Sequence, residues 1–458
     1  MKKKSIYRCS VCNYESIGYL GKCPECNTWS SLEEVIIDTK QKSKSQARLF
    51  DKKPIMKLEE ISSKNSHRIE SNLREFDRVM GGGIVRDSVT ILTAKPGAGK
   101  STLLLQIAND LATKGYRILY ASGEESESQI KSRADRVIKK IHEGMWVVSD
   151  NSMDNLLENI DEIDPDFIIV DSIQTFTLED FPNSRPGSPT QTMECAYELV
   201  KKAKNTSRPR SIFIVGQMTK EDELAGVRAL EHLVDVVLVI EGESGEELRT
   251  LITTKNRYGS TGEMGFFNMT EEGMVSIDNP SEYFMTKREK EDMVSGSSLT
   301  VVREGTRPII LEIESLVSDS FTPYPSRIGE SMRKDQLNTL ISILEQRGGI
   351  KLYDKNVVIK TTGGIKLKEH ASNLAVIMSI ASSTFDIPIA NDMVFIADVG
   401  LTGELKKVPS LEARLREVDR IGFKKAIIPH DSSKVKKYEN LQLIQLKTLR
   451  DVIKEIFD

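Results

Sequence analysis

Residues 94–102 constrain the fold of this 458-residue chain more than any other part of its sequence. They read Ala-Lys-Pro-Gly-Ala-Gly-Lys-Ser-Thr, and they lie between an apolar run at 89–93 and a helical pattern at 102–113. A buried strand, a glycine-containing loop and a helix in this order predict a phosphate-binding loop. Gly97 and Gly99 let the backbone amides turn inward to form an anion nest, and the helix N-terminus adds positive potential.

The side chains of this loop have separate expected tasks. Lys100 should reach the β- and γ-phosphates of a nucleotide, and the hydroxyl of Ser101 should bind Mg²⁺. Ala94 stands where the usual pattern begins with glycine, but the core Gly-x-Gly-Lys-Ser is intact. The predicted nucleotide-binding residues are six consecutive ones: Gly97, Ala98, Gly99, Lys100, Ser101 and Thr102.

Acidic residues at the ends of two other apolar runs fit the same site. The run at 167–170 is followed by Asp171, which is predicted to organise Mg²⁺, although many buried strands end in aspartate as a helix cap. The run at 118–121 is followed closely by Glu124 and Glu125. We expect Glu124 to orient the attacking water, because Glu125 can instead favour the N-terminus of the next helix. The alternative is that both glutamates are helix-start charges.

A pair of cations follows a later strand pattern. Residues 255–259 read Lys-Asn-Arg-Tyr-Gly, so Lys255 and Arg257 lie two residues apart on an extended segment and point the same way. They could contact a γ-phosphate across a subunit interface. From chemistry alone, a solvated turn is the simpler interpretation.

Four of the five cysteines are clustered near the N-terminus as two Cys-x-x-Cys pairs ten residues apart. This spacing is typical of a tetrathiolate zinc site that holds together a domain too small to fold alone. Asn13 and Asn27 follow the second cysteine of each pair, where a left-handed conformation is wanted. The predicted zinc ligands are Cys9, Cys12, Cys23 and Cys26.

Composition and charge exclude several classes of protein. Five cysteines exclude a disulfide scaffold, and no stretch approaches 18 consecutive apolar residues, which excludes a transmembrane helix. The N-terminus lacks the apolar region of a secretory signal, so we expect a cytoplasmic protein with no membrane partner. Because the net charge is −4, any contact with nucleic acid must come from local patches or an oligomer's channel.

The order of apolar runs gives the expected domains. Strand and helix patterns alternate over residues 70–280, which predicts a parallel sheet covered by helices on both faces. From residue 299 a second α/β pattern begins with strands. The predicted limits are a zinc finger at 1–35, a basic linker at 36–69, an ATPase domain at 70–280 and a C-terminal domain at 281–458.

Taken in order, these motifs resemble the family of the bacterial DNA repair protein RadA, also called Sms, over essentially the whole chain. Three further segments carry the resemblance: Glu-Phe-Asp-Arg-Val-Met-Gly-Gly-Gly at 75–83, Asp-Ser-Ile-Gln-Thr at 171–175 and Ala-Asp-Val-Gly-Leu-Thr-Gly-Glu at 397–404. The resemblance implies an α/β protein with a RecA-like P-loop ATPase core, an N-terminal C4 zinc finger and a C-terminal α/β domain similar to that of Lon protease.

The resemblance also implies an activity. Members of this family process recombination intermediates, and they are thought to act as hexameric rings that translocate on single-stranded DNA and drive branch migration. The resemblance further implies ATP, Mg²⁺ and Zn²⁺ as cofactors, single-stranded and branched DNA as ligands, and a recombinase as partner. Lys255 and Arg257 would sense the nucleotide of the neighbouring subunit and contribute to DNA binding. The implied catalytic residues are Lys100, Glu124, Asp171, Lys255 and Arg257.

Two other functions are possible for such a chain. A nucleotide-gated scaffold would use ATP only to set ring assembly. An ATP-dependent protease would use Ser372 with a lysine, but the segment at 408–414 offers Glu412 instead. The C-terminal domain is therefore interpreted as a non-proteolytic platform for ring formation and DNA. Its candidate phosphate contacts, which could equally be solvated side chains, are Arg333, Lys334, Lys351, Lys366 and Lys368.

Overall fold

The computed structural model describes residues 4–10, 15, 16, 18, 21, 22, 24–26, 28, 29, 32–37, 57, 59, 68–217, 226–242, 245–286, 288, 289, 292–430 and 438–458. The chain divides into two units, Met1–Asn65 and Ser66–Asp458. Cys12, Cys23 and most of the predicted basic linker lie outside the described residues. No helix in the described ranges is long and apolar enough to cross a membrane.

The first unit contains a small antiparallel sheet. Its strands are β1 (Lys4–Cys9), β2 (Glu15–Ser16) and β3 (Leu32–Ile37). β1 lies in the centre and pairs with both neighbours. Cys9 ends the central strand and is fully buried. The sheet therefore places one predicted zinc ligand on a fixed strand.

The second unit begins with a nine-stranded sheet and the helices that cover it. Six strands are parallel, in the order β11-β6-β10-β9-β7-β8, and three antiparallel strands continue the sheet beyond β11 in the order β12-β13-β14. The elements are β4 (Arg68–Ile69), α1 (Arg74–Val79), β5 (Ile84–Val85), β6 (Val89–Ala94), α2 (Lys100–Thr113), β7 (Ile118–Ser122), α3 (Glu127–Val137), β8 (Met145–Ser149), α4 (Met153–Ile163), β9 (Phe167–Asp171), α5 (Pro189–Ala203), β10 (Ser211–Gln217), α6 (Gly226–Leu233), β11 (Val236–Glu241), β12 (Leu248–Asn256), β13 (Met264–Thr270), β14 (Gly273–Ser276) and α7 (Pro280–Tyr283).

Burial on both faces explains this layered arrangement. Every residue of β6 is buried, and β7 is buried along its whole length. Apolar residues of α2 and α3 pack on one side of the sheet, and those of α4, α5 and α6 pack on the other. This structure confirms the predicted α/β class with a parallel sheet. Since all parallel strands end at one edge, the loops after β6, β7 and β9 lie together there.

The second unit continues with a four-stranded sheet, β15-β16-β18-β17, a parallel sheet, β19-β22-β23, and a small β20-β21 pair. The central helix α9 is buried from Asn373 to Ser382, which explains its almost continuous apolar sequence. The elements are β15 (Ser297–Glu304), β16 (Arg307–Asp319), β17 (Arg327–Gly329), α8 (Lys334–Ile343), β18 (Lys355–Thr361), α9 (Asn373–Phe385), β19 (Met393–Phe395), β20 (Asp398–Val399), β21 (Leu405–Lys406), α10 (Leu411–Ile421), β22 (Lys425–Pro429), β23 (Gln442–Leu446) and α11 (Leu449–Phe457).

The β15–β16 hairpin joins this part to the nucleotide-binding sheet. Its turn residue Gly305 has a φ of +64°, and a Cβ there would lie 2.5 Å from the carbonyl oxygen of Gly262. Next to it, Arg307 makes a 2.7 Å ion pair with the buried Glu75 of α1. The backbone contact and the ion pair together hold the hairpin against the sheet.

Two elements differ from what their sequence patterns predict, which is one helix over 126–143 and one strand over 393–399. The helical pattern at 126–143 becomes a shorter helix that ends at Val137, because the backbone of Ile138 is extended. The strand predicted at 393–399 is divided into β19 and β20, which belong to different sheets. In both cases apolar residues continue past the point where the backbone changes direction.

Candidate nucleotide-binding and catalytic site

The loop between β6 and α2 has the geometry of a phosphate cradle. Gly97 and Gly99 have φ values of +78° and +103°. The positive φ of Gly99 favours glycine there, and a Cβ would also lie 2.5 Å from the flexible end of Met269, its Cε, which would have to move. Gly99 is the N-cap of α2 and supplies no side-chain cap, which leaves the amides of the first turn available for a ligand.

Lys100 begins α2 and points back over the loop. Its Nζ donates to the carbonyl oxygen of Ala94 at 3.1 Å. Burial lowers the pKa of Lys100, while the nearby charges of Asp171 and Glu124 raise it. The structure therefore brings the lysine and both predicted carboxylates into one electrostatic environment.

The hydroxyl of Ser101 and the carboxylate of Asp171 are in direct contact. Ser101 Oγ donates to Asp171 Oδ2 at 2.7 Å, which joins the first turn of α2 to the end of β9. Tyr120 on β7 donates to the same oxygen at 2.6 Å. Burial raises the pKa of Tyr120 well above its usual value, so its hydroxyl stays protonated and remains a donor. A hydroxyl and a carboxylate at this distance are suitable ligands for Mg²⁺ beside phosphate oxygens.

The two adjacent glutamates after β7 have different partners. Glu125 pairs with Arg133 of α3 through both carboxylate oxygens, one of them at 2.6 Å, and this bond raises the pKa of Arg133. Glu124 Oε1 instead accepts a 2.7 Å hydrogen bond from Ser172, which directly follows Asp171. The local geometry thus keeps Glu124 beside the phosphate loop and commits Glu125 to α3.

A cleft of about 660 Å³ opens beside the phosphate loop. It extends from Thr102 of α2 to Arg136 near the end of α3 and to the β13–β14 turn. Met269 forms part of its wall, and Ala98 within the loop is buried. This cleft offers room for the rest of a nucleotide whose phosphates lie on the loop.

Lys255 and Arg257 lie away from this site. The register pairs Lys255 with Val237, whereas Ala94 pairs with Ile240. Three residues of strand, about 10 Å, therefore separate Lys255 from the start of the phosphate loop, which continues in the opposite direction. The structure does not bring these two cations together with the predicted nucleotide site of the same chain.

Both cations hold the end of α6. Lys255 Nζ donates to the carbonyl oxygens of Val234, at 2.9 Å, and Glu231. Arg257 Nη1 makes a 3.1 Å ion pair with the buried Asp235, and its side chain is 52% exposed. Each cation therefore has defined partners within its own chain, while the Arg257 side chain stays half-exposed to solvent.

The predicted zinc site is partly described. Cys9 Sγ and Cys26 Sγ lie 3.6 Å apart. Four thiolates that bind zinc in a tetrahedron are about 3.8 Å from one another, so this pair fits a shared ion. Among the described residues there is no group of three or more potential metal ligands, since Cys12 and Cys23 lie outside them.

The C-terminal serine considered as a nucleophile is buried. Ser372 is fully inaccessible and its Oγ donates to the carbonyl oxygen of Glu369 at 2.9 Å. Arg414 is also buried and makes a 2.6 Å ion pair with Glu369. A serine that donates to a backbone carbonyl is not activated for attack, so this geometry does not favour a protease.

The sequence patterns do not single out two residues of the site, Tyr120 and Ser172. Tyr120 counts as one more apolar residue in a buried strand, and Ser172 follows an aspartate already assigned to Mg²⁺. One available signal is position, because Tyr120 lies two residues before the strand end and so faces the same side as Ser122.

Comparisons with known proteins agree with this geometry. The AAA domain family matches residues 57–208, and the rubredoxin metal binding domain family matches residues 7–34. A DNA repair protein RadA from Bacillus subtilis is 42% identical over 431 residues, which cover 93% of each chain. The chain belongs to the RadA family of DNA repair proteins.

Other members of the RadA family are similar along nearly their whole length. The protein from Listeria monocytogenes is 37% identical over 99% of this chain and 98% of its own. A Streptococcus pyogenes RadA is 38% identical over 100% and 99%, respectively. Family membership and the AAA domain make this RadA-family chain a P-loop ATPase that uses ATP and Mg²⁺, and the rubredoxin-type match confirms Zn²⁺.

Proposed function

We propose that this protein is a DNA-dependent ATPase that translocates on single-stranded DNA and drives branch migration of recombination intermediates. The observation that carries the proposal is the 2.7 Å contact between Ser101 and Asp171 beside Lys100, at the edge where the parallel strands end. Family membership supplies the link to DNA repair.

The residues of the site divide the work of hydrolysis. The loop amides and Lys100 would hold the phosphates, and Ser101 and Asp171 would serve as ligands of Mg²⁺. When bound, Mg²⁺ neutralises charge that develops on the transferred phosphoryl group. Glu124 accepts a hydrogen bond from the attacking water and orients it toward the γ-phosphate.

A second copy of the chain would complete this site. Lys255 and Arg257 lie at the opposite edge of their own sheet, and the side chain of Arg257 is half-exposed. In a ring whose subunits contact head to tail, they would face the nucleotide of the neighbour and stabilise charge in the transition state. We propose a homo-hexamer on this basis and on the resemblance.

DNA would pass through the middle of such a ring. The segments at 179–190 and 219–228 follow β9 and β10, whose ends lie at the nucleotide edge. The helices α5 and α6 begin within these segments, at Pro189 and Gly226, and residues 218–225 are outside the described residues. The zinc unit, the basic linker at 36–69 and the C-terminal lysines would add contacts with phosphates. A recombinase would supply the branched substrate in the cytoplasm. The domain limits, with a zinc finger at 1–35, an ATPase domain at 70–280 and a C-terminal domain at 281–458, are part of this proposal.

A branch-migration assay tests the proposal. The protein is mixed with a fluorescent three-stranded DNA intermediate, and product is followed with ATP or with a non-hydrolysable analogue. We expect the unaltered protein to form product with ATP and not with the analogue. Lys100→Ala should form no product with either, because the lysine that holds the phosphates is gone. Equal product with the analogue would contradict a motor and would favour a nucleotide-gated scaffold.

A further inference from the structure

Two hydrogen bonds cross between the neighbouring strands β7 and β9 in opposite directions. Tyr120, on β7, donates to Asp171 Oδ2 at the end of β9, at 2.6 Å. Ser172, directly after β9, donates to Glu124 Oε1 beyond the end of β7, at 2.7 Å. A donor on β7 therefore holds the carboxylate at the end of β9, and a donor just after β9 holds the carboxylate that follows β7.

The register of the two strands explains the exchange. β7 and β9 are parallel, and Ser122 lies level with Asp171. Tyr120 is thus two residues back along its strand, on the same face, and its long side chain reaches forward to the carboxylate. Both donors are buried, since Tyr120 is fully inaccessible and Ser172 is 1% exposed. Their hydroxyls have fixed positions and no competition from bulk water.

We infer that Tyr120 and Ser172 are positioning residues with separate tasks, Tyr120 for the carboxylate that holds Mg²⁺ and Ser172 for the carboxylate that orients water. This inference rests on the proposed function of Asp171 and Glu124. Tyr120 and Ser101 donate to the same oxygen of Asp171, so the carboxylate cannot rotate freely. The Ser101 proton then points to Asp171, and its oxygen lone pairs stay available to the metal.

The two tasks predict two different defects. Loss of the Tyr120 hydroxyl removes one of the two donors to Asp171 Oδ2 and loosens this carboxylate, which weakens metal binding and leaves the water-orienting carboxylate in place. Loss of the Ser172 hydroxyl removes the hydrogen bond that orients Glu124 Oε1, which slows turnover without changing the metal site. A residue that only stabilises the fold would produce neither pattern.

The experiment is a Mg²⁺ titration of ATP hydrolysis by the full-length chain. With Tyr120→Phe, we expect the Mg²⁺ concentration for half-maximal hydrolysis to rise by about tenfold, as for one lost hydrogen bond to a charged group. The turnover at saturating Mg²⁺ should stay close to that of the unaltered protein. With Ser172→Ala, we expect turnover to fall by about tenfold at an unchanged Mg²⁺ midpoint.

Tyr116→Phe is the matched control, because Tyr116 lies just before β7, far from the strand end that carries the site. It should change neither quantity. Equal Mg²⁺ midpoints for Tyr120→Phe and the control would overturn the assignment of Tyr120, and normal turnover in Ser172→Ala would overturn that of Ser172. Denaturant unfolding of each variant without nucleotide shows whether a defect is merely one of stability.

Asp171→Asn and Glu124→Gln separate this inference from the proposed function. Both should lose hydrolysis if these carboxylates act as proposed. If they do and the hydroxyl variants are normal, only the inference fails. If Asp171→Asn and Glu124→Gln hydrolyse ATP normally, the assignment of the carboxylates themselves fails.

Discussion

Glu124 and Glu125 show how much a single position decides within the site. Both are acidic residues after a buried strand, so the sequence alone cannot separate a water-orienting carboxylate from a structural one. The structure separates them by their partners, Ser172 for Glu124 and Arg133 for Glu125. The preference for Glu124 is supported by this geometry and stays a prediction about catalysis.

Substitution of each glutamate tests that preference. We expect Glu124→Gln to reduce ATP hydrolysis by at least about 100-fold while nucleotide binding is retained, because the water loses its oriented acceptor. Glu125→Gln should keep most of the activity and lose about 0.5–1 kcal/mol of stability with the Arg133 pair. Steady-state hydrolysis, nucleotide binding and urea unfolding measure these effects. Equal loss of activity in both variants would contradict the separate roles given to Glu124 and Glu125.

Glu304 gives a prediction about pH. It ends β15 and lines a cleft of about 860 Å³ between the nucleotide-binding sheet and the C-terminal part, and burial raises its pKa from 4.5 to about 7. Below pH 4.5 it is protonated in both folded and unfolded chains. Between pH 4.5 and about 7, Glu304 is protonated more often in the folded chain than in the unfolded chain. Its contribution to the free energy of unfolding therefore falls as pH rises.

Glu304→Gln should remove this contribution. Relative to the unaltered protein, the variant should gain stability between pH 5 and pH 8, as measured by urea unfolding at several pH values. Glu330→Gln, an exposed glutamate lining the same cleft, is the control and should show no such gain. A constant difference between Glu304→Gln and the unaltered protein across this range would disprove the raised pKa.

At the scale of elements, continuous apolar runs predict the positions of buried strands most accurately. β6 and β9 are buried along nearly their whole length, and their sequence patterns identify them to within a residue. β23 and α11 were not identified, because β23 is partly exposed and lacks an unbroken apolar run. Strand β8 also lies at the sheet edge with Trp146 38% exposed, so its apolar run does not mark burial on both faces.

The position of Lys255 depends on an irregularity that sequence reasoning could not find. Val237 pairs with Lys255 while Leu238 pairs with Thr253, so Thr254 is an extra residue in β12. Since one extra residue shifts the following side chains to the other face, this bulge directs Lys255 toward α6. Bulges have no reliable signature of residue type without glycine, and this one has none.

The β15–β16 hairpin also gives a prediction. Arg307 pairs with Glu75, which is 3% exposed, so Arg307→Met should cost about 1–3 kcal/mol of stability by removing a partner of a buried carboxylate. Arg74→Met is the matched control, because its ion pair with Asp278 is exposed and should contribute less than about 1 kcal/mol. Urea unfolding measures both. Equal losses would show that the hairpin contact contributes no more than a surface pair.

At the scale of the whole molecule, two groups of charged residues lie at opposite edges of one sheet, and under the proposed function they meet across two copies of the chain. The phosphate loop lies at one edge, and Lys255 and Arg257 lie at the other. The motifs could be read from the sequence, but the distance between them could not, because it depends on the direction of β12. The antiparallel pairing of β12 with β11 places these cations away from the phosphate loop of their own chain, which supports the proposal that they act on a neighbour.

Mixed oligomers test this arrangement. Lys100→Ala and Arg257→Ala should each be inactive alone, because one lacks a phosphate ligand and the other lacks the neighbour's cation. In an equal mixture, about one quarter of the sites join an intact Lys100 to an intact Arg257, so a similar fraction of ATP hydrolysis should return. An inactive mixture whose subunits have been shown to exchange would mean that Arg257 acts within its own chain.

The central claim is that ATP hydrolysis at the Lys100 loop is coupled to DNA. The most direct measurement is the steady-state rate of ATP hydrolysis with and without single-stranded DNA, with Lys100→Ala as the blank. DNA should increase the rate of the unaltered protein, and the variant should show no hydrolysis in either condition. A rate that DNA leaves unchanged, in protein shown to bind both ATP and DNA, would contradict a DNA-dependent motor.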